Sequence, residues 1–352
     1  MSPVNTRYSP LTTIKSWFGC WLNERWRAEA VLRLGVGSWL DLCNRSEHLK
    51  PDALSGGRIC EWKDSSFLTV CRVFPDVGER LLRHCLTQWP VRLNFDPTPC
   101  LSKSASASVL VAIGGRERLP QFHLALAALR AQSYQALEVI VIEQGPYPSL
   151  QSALPADVRY KHDFVVDGTP FNKSRALNLA AALAQGEFFL IHDGDFVVPT
   201  DYVAEVVRSL GRASGVRPAR FIFYLDHSST DSAIQSRAIP PHGSIEYVTQ
   251  NTPCPMGLRR STYSEIGGHD ESFLGWGGED TEFLSRLRTH SVAEGGWLPV
   301  IHLWHPSAPK KINGDRNRAE QNALLSLPPQ ERIERLTAAS HSRTNLNSGD
   351  ST

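Results

Sequence analysis

The sequence predicts an α/β protein: a mostly parallel, doubly wound sheet with an additional, mainly helical N-terminal unit. Three observations predict it. Apolar runs at Val109–Ile113, Leu137–Ile142 and Glu187–Ile191 have the length of strands covered on both faces. Helix-length segments separate those runs, as parallel crossovers require. The first hundred residues, dense in Trp, lack that rhythm.

Composition sets the bounds. The chain has 352 residues, enough for about two domains. Its 41% hydrophobic and 21% charged content excludes global disorder. A net charge of +1 gives no basis for a nucleic-acid partner. Seven cysteines, six of them in the first hundred residues and none in a CxxC pair, are expected to be reduced and structural. Trp17-Phe18-Gly19-Cys20-Trp21-Leu22 is too short for a signal-peptide core, and no run approaches a membrane span. The expected location is the cytoplasm, with membrane association as the alternative. Core packing is the expected use of Trp17, Phe18, Trp21 and Trp26. An interfacial helix is the rival reading, because Lys15, Arg25 and Arg27 stand beside them.

Taken in order, residues 1–100 form an accessory unit, 101–308 the main α/β domain, and 309–352 a helix and a disordered tail. Asp76 reads as an N-cap with Glu79 closing a capping box, and Leu81, Leu82, Cys85 and Leu86 form the stripe behind it. Pro90 ends that helix, and Asp96–Ser106 reads as a linker. Gly114-Gly115-Arg116 then turns the first strand towards a helix starting near Pro120, with Phe122, Leu126 and Leu129 inside. The second strand ends in Glu143-Gln144-Gly145. Phe171-Asn172-Lys173-Ser174-Arg175 opens a helix running through Ala184, and Gly186 stops it.

Right-handed crossovers place Ile113-Gly114, Glu143-Gln144 and Asp193-Gly194-Asp195 on one rim. Ligands bind at such rims, and two carboxylates there suit Mg²⁺ or Mn²⁺ beside a diphosphate. Asp-Gly alone is equally a plain turn. Phe221–Leu225 reads as a further strand, and Asp226–Pro241 as a polar loop, either a lid or a surface insertion. Glycines surround Trp276, which suits a mobile sugar-stacking loop. Glu279 and Asp280 follow in a helical first turn, where the helix dipole favours acids in any case. His302 and His305, at the end of a Leu298–Ile301 strand, offer one or two imidazole ligands.

These clusters, in this order, resemble the GT-A glycosyltransferases, in particular the beta-1,4-galactosyltransferase family and bacterial family 2 enzymes. Phe171-Asn172-Lys173-Ser174-Arg175-Ala176-Leu177-Asn178 is similar to the family's Phe-Asn-Arg-Ala-Lys-Leu-Leu-Asn segment, and Asp193-Gly194-Asp195 to its Asp-x-Asp motif. Gly275-Trp276-Gly277-Gly278-Glu279-Asp280 matches its Gly-Trp-Gly-Gly-Glu-Asp signature, and His302-Leu303-Trp304-His305 falls where it has Met-x-x-His. The likeness spans about residues 107–308. It implies that Asp195 and His305 ligate a metal, Mn²⁺ or Mg²⁺, with His302 in place of the family's Met. Ile113, Gly114, Arg116, Asn172 and Lys173 would line the nucleotide, and Asp193 would contact ribose or sugar. Trp276 and Gly278 would close over the substrates, Glu279 would bind sugar hydroxyls, and Asp280 would be the catalytic base. Lys173 replaces an Arg, keeping the charge but losing the bidentate fork.

The resemblance implies an inverting, metal-dependent transfer of galactose or N-acetylgalactosamine from a UDP-sugar to a carbohydrate, glycolipid or peptide hydroxyl, within glycan or polysaccharide synthesis. Two rivals are retaining transfer, as in polypeptide N-acetylgalactosaminyltransferases, and a non-catalytic nucleotide-sugar or glycan-binding protein. Asp280, where the retaining enzymes have Asn, argues against the first; the intact acidic cluster argues against the second. Residues 1–100 have several open roles: packing on the catalytic domain, acceptor binding, and peripheral membrane or complex association.

Overall fold

The computed structural model describes residues 17–61, 65–240, 242–306 and 314–347. Among the described residues, fourteen strands follow one another as β1 (Leu49–Pro51), β2 (Arg58–Cys60), β3 (Ser66–Phe67), β4 (Ala107–Ile113), β5 (Leu137–Gly145), β6 (Arg159–Phe164), β7 (Phe188–Asp193), β8 (Phe196–Val197), β9 (Gly215–Val216), β10 (Ala219–Leu225), β11 (Ile245–Gln250), β12 (Met256–Arg259), β13 (Val292–Ala293) and β14 (Leu298–His302). The main sheet has the order β13-β9-β12-β7-β4-β5-β6. Its half from β7 to β6 is parallel throughout, whereas β12 runs antiparallel to both neighbours. Helices Leu119–Arg130 and Lys173–Leu183 make the crossovers. Val109, Leu110, Val111, Val139, Ile140, Val141, Leu190 and Ile191 are fully buried, which accounts for their unbroken apolar runs.

Register confirms the shared rim: Ile113 pairs with Glu143, and Ala112 with Asp193. A second sheet, β3-β11-β10-β14-β8, carries His302 at the end of β14. Its edge strand β3 comes from the first hundred residues. Trp39, Leu68, Val77 and Leu81 of that N-terminal region share one apolar core with Phe221, Phe223, Val248 and Ile301 of the second sheet.

Several local expectations change. Asp76 is not an N-cap: Pro75 occupies the first turn, Phe74 precedes it without a side-chain cap, and the Asp76 carboxylate pairs with Arg80 at 3.0 Å. The loop expected at Asp226–Pro241 contains the helix His227–Ser236, with Asp226 accepting from the Ser229 N–H. Arg159–Phe164 forms an edge strand that its polar sequence does not announce. The segment Asp96–Ser106 is irregular but anchored, because Asp157 accepts from the Cys100 and Leu101 amides. The final helix, Pro329–Asn347, continues through part of the expected tail; residues 348–352, like Lys15 and Lys310-Lys311, lie outside the described residues. None of the seven cysteines is in a disulfide, and five are buried. Trp17, Phe18, Trp21 and Trp26 are exposed, so core packing does not explain them.

Candidate active site

The cleft is built where the two sheets meet. Strand β7 ends at Asp193, Gly194 and Asp195 form the turn, and β8 begins at Phe196. β8 pairs with β14, so its register brings His302 and the segment after it to Asp195. Opposite, Asn172 caps the helix that begins at Lys173, its carboxamide oxygen accepting from the Arg175 N–H at 2.9 Å. The helix Glu279–Leu287 contributes Glu279 and Asp280 from its first turn. The space enclosed is about 430 Å³.

On one wall, an Asp195 carboxylate oxygen lies 3.3 Å from His305 Nε2, and the other lies 3.8 Å from His302 Nε2. The three donor atoms fall within 4.8 Å of one another. His305 Nδ1 lies 2.8 Å from the Pro306 carbonyl, which can only accept, so Nδ1 carries the hydrogen. In the neutral ring, Nε2 then turns a lone pair towards Asp195. Nδ1 of His302 is buried without a hydrogen-bond partner, and its ring stacks on Tyr224 with centroids 4.3 Å apart. Burial pushes the His302 imidazole below its ordinary range, against the pull of Asp195, and so keeps it neutral. Burial opposes the Asp195 charge too, but His302 and His305, when protonated, and Arg118, 3.1 Å away, hold its carboxyl well below the usual range. A carboxylate facing neutral imidazole nitrogen suits a divalent cation of the Mn²⁺ type.

On the other wall, one lysine serves three acids. Lys173 Nζ lies 2.8 Å from Asp193, 3.0 Å from Asp280 and 3.9 Å from Glu279. Burial alone would lower the Lys173 pKa, but Asp193 and Asp280 keep it protonated. Burial, then its acidic neighbour Asp280, pushes the Glu279 carboxyl up to about 7. Asp280 is raised as well, chiefly by burial, with Asp193 adding and Lys173 opposing.

Over the mouth lies the loop bearing Trp276, which is 47% exposed. Gly275, Gly277 and Gly278 have φ of +83°, +93° and +100°, a region costly for any other residue. The Gly275 N–H donates to the Phe171 carbonyl at 2.7 Å. The Asn317 side chain donates to the carbonyls of Leu274 and Trp276, fastening the loop to the helix Gly314–Ser326.

Of the residues singled out from the sequence, Lys173, Asp193, Asp195, Trp276, Glu279, Asp280, His302 and His305 line this cleft. The others stand apart. Gly278 is a hinge of the loop, and Asn172 braces it from below by donating to the Glu271 carbonyl. A Cβ on Gly114 would come 3.2 Å from Phe171, Ile113 lies against Gly194, and Arg116 is exposed. Arg118, Tyr224 and Phe196 line the cleft without having been anticipated. Arg118 sits two positions beyond the arginine that the turn suggested, and only the start of the helix decides between them.

The chain is a glycosyltransferase of the GT-A type. Residues 116–261 match the family model Glycosyl transferase family 2, and residues 237–301 match that of the N-terminal domain of galactosyltransferase. No curated protein matches the chain. Among solved structures, S. aureus TarS 1–349 in complex with UDP-GlcNAc aligns at 14% identity, covering 70% of this chain and 76% of that one, with a TM-score of 0.43. The complex of the same protein with UDP gives 15%, 70%, 75% and 0.42. The mannosyltransferase PcManGT from Pyrobaculum calidifontis, with GDP-Man and Mn²⁺, gives 15%, 76%, 83% and 0.37.

Proposed function

We propose that the chain moves galactose or N-acetylgalactosamine from a UDP-sugar to a hydroxyl acceptor, with inversion, and that it uses Mn²⁺ or Mg²⁺ held by Asp195, His302 and His305. The observation that carries this reading is the pairing of two unlike walls in one cleft: a carboxylate–imidazole set faces a lysine-anchored set of acids. A cation held there would offset the diphosphate charge of the departing UDP.

The chain's own groups divide the remaining work. Arg118 supplies a fixed positive charge beside Asp195 for the diphosphate. Asp193 and Glu279 contact the ribose and sugar hydroxyls. Trp276 covers donor and acceptor and excludes water. Asp280 takes the proton of the acceptor hydroxyl as its oxygen bonds to the anomeric carbon and the bond to the phosphate oxygen breaks. Lys173 stays charged and opposes the rise in pKa that burial and crowding impose on Glu279 and Asp280. A carbohydrate, glycolipid or peptide acceptor fits this scheme equally.

The test is UDP release from a panel of UDP-sugars, with Mn²⁺ and then with EDTA. Release that EDTA abolishes supports the reading and names the donor. Asp280→Asn should lose turnover while retaining UDP binding; loss of binding instead makes Asp280 a structural or donor-binding residue. The anomeric configuration of the product, read by NMR, separates inversion from retention.

A further inference from the structure

The N-terminal helix has two faces, and the wrong one is apolar. It runs without interruption over residues 17–34, with a π-type turn at Trp21–Arg25, and Gly35 ends it at φ +65°. Cys20, Glu24, Ala28 and Val31 face inward and are buried. The outward face carries Phe18, Trp21, Leu22 and Trp26, all 46–58% exposed, and Leu34 at the helix end and Val36 beyond it are 75% and 62% exposed. Among the described residues, twelve large apolar side chains are exposed and seven of them lie between 17 and 36, so the patch is a local feature and not general surface scatter.

Charge decides what covers it. Arg27 and Arg33 are exposed on this helix, and the Arg27 guanidinium lies 5.6 Å from the Trp26 ring. Arg45, also exposed, reaches back to Gly19. The segment has only two acids. Glu24 is buried, and Glu29 is taken up by Arg80, Arg25 and Arg33, which hold its carboxyl down at about 2. The exposed face therefore offers Trp and Phe rings, aliphatic side chains and arginines, with no free carboxylate. Aromatic rings prefer the headgroup boundary of a bilayer, and arginines beside them favour anionic lipid. No helix among the described residues is long and apolar enough to cross a membrane, so contact would be peripheral.

We infer that this helix docks the enzyme on an anionic lipid surface, lying in the plane of the headgroups with Trp21 and Trp26 inserted. The inference does not depend on the donor or on the metal.

The test uses the full chain with vesicles of phosphatidylcholine, alone or with about one-third phosphatidylglycerol. The chain should sediment with the anionic vesicles, less with neutral ones and less at high salt, and its Trp emission should shift to the blue on binding. The double variant Trp21→Ser/Trp26→Ser touches no residue of the cleft. It should bind about tenfold less while keeping its Tm and its rate of UDP release. Absence of binding to either vesicle, or equal binding by the double variant, overturns the inference. So does a dimer in light scattering that the double variant converts to monomer without any vesicle binding, because the face is then a contact between copies.

Discussion

Replacing Glu279 by Gln should stabilise the enzyme, by an amount that depends on pH. Glu279 shares its corner with two other acids and one lysine, and its side chain is only 13% exposed. A carboxyl moved from the ordinary 4.5 to about 7 carries about 3 kcal/mol against its charged form. The folded chain holds this proton more tightly than the unfolded chain. The cost is therefore absent well below pH 4.5, accrues between about 4.5 and 7, and is complete above 7. Gln resembles the protonated form and escapes the cost throughout. From the usual unfolding entropy per residue, a chain of this length gains about 1.4 °C in Tm per kcal/mol. The variant should thus exceed the parent by about 1 °C at pH 5 and about 4 °C at pH 8, without donor or divalent cation. Thermal unfolding across that range measures it. A gap that is flat or reversed refutes the reasoning, because Lys173 must then neutralise all three acids in the parent.

Further outcomes follow from other parts of the cleft and its supports. Gly278→Ala places a Cβ 2.7 Å from Phe273 at φ +100°; about 1–3 kcal/mol of strain should disturb the Trp276 loop and lower kcat/KM about tenfold, with little change in global Tm. Arg286→Met should lower the urea unfolding free energy by about 3 kcal/mol or more, because fully buried Arg286 pairs with Glu282 and also donates to the Ile266 and Gly268 carbonyls. Asp280 must be charged to act as a base and its pKa is raised, so activity should fail on the acid side above the ordinary carboxylate range. Asp193→Asn removes a like charge and frees Lys173, so the acid limb of residual activity should move to lower pH; a shift upward contradicts the assignment.

The parallel half of the main sheet was legible because strands buried on both faces are written as continuous apolar runs, and β4, β5 and β7 are such strands. The carboxylate turn was legible for a related reason: Asp-Gly-Asp breaks a buried apolar run at the rim where the parallel strands end. The edge strand β6 was not, because Arg159, Tyr160 and Lys161 are polar or amphipathic and only Asp163 is buried. The helix at His227–Ser236 was hidden by Ser and Thr, which favour turns in isolation; tertiary burial of Ser229, Thr230 and Ala233 overrides that preference. For the N-terminal aromatics, the error lay in assuming that large rings seek the interior. The site itself divides the same way. Individual acids and imidazoles announced themselves, but the pairing of Lys173 with Asp193 and Asp280 depends on a fold that joins residues 107 positions apart.

Strand β3 turns the first hundred residues into part of the catalytic framework. Its two residues hydrogen-bond to β11, and behind them Arg220 of β10 is buried with its guanidinium donating to the Leu40 and Leu42 carbonyls. A gene fragment starting at residue 101 would therefore release a product with a bare sheet edge and a buried arginine left with Gln250 but without the Leu40 and Leu42 carbonyls. Such a product is a candidate for aggregation and not a minimal enzyme. Recombination that exchanges this catalytic sheet between relatives would have to carry its N-terminal partner with it.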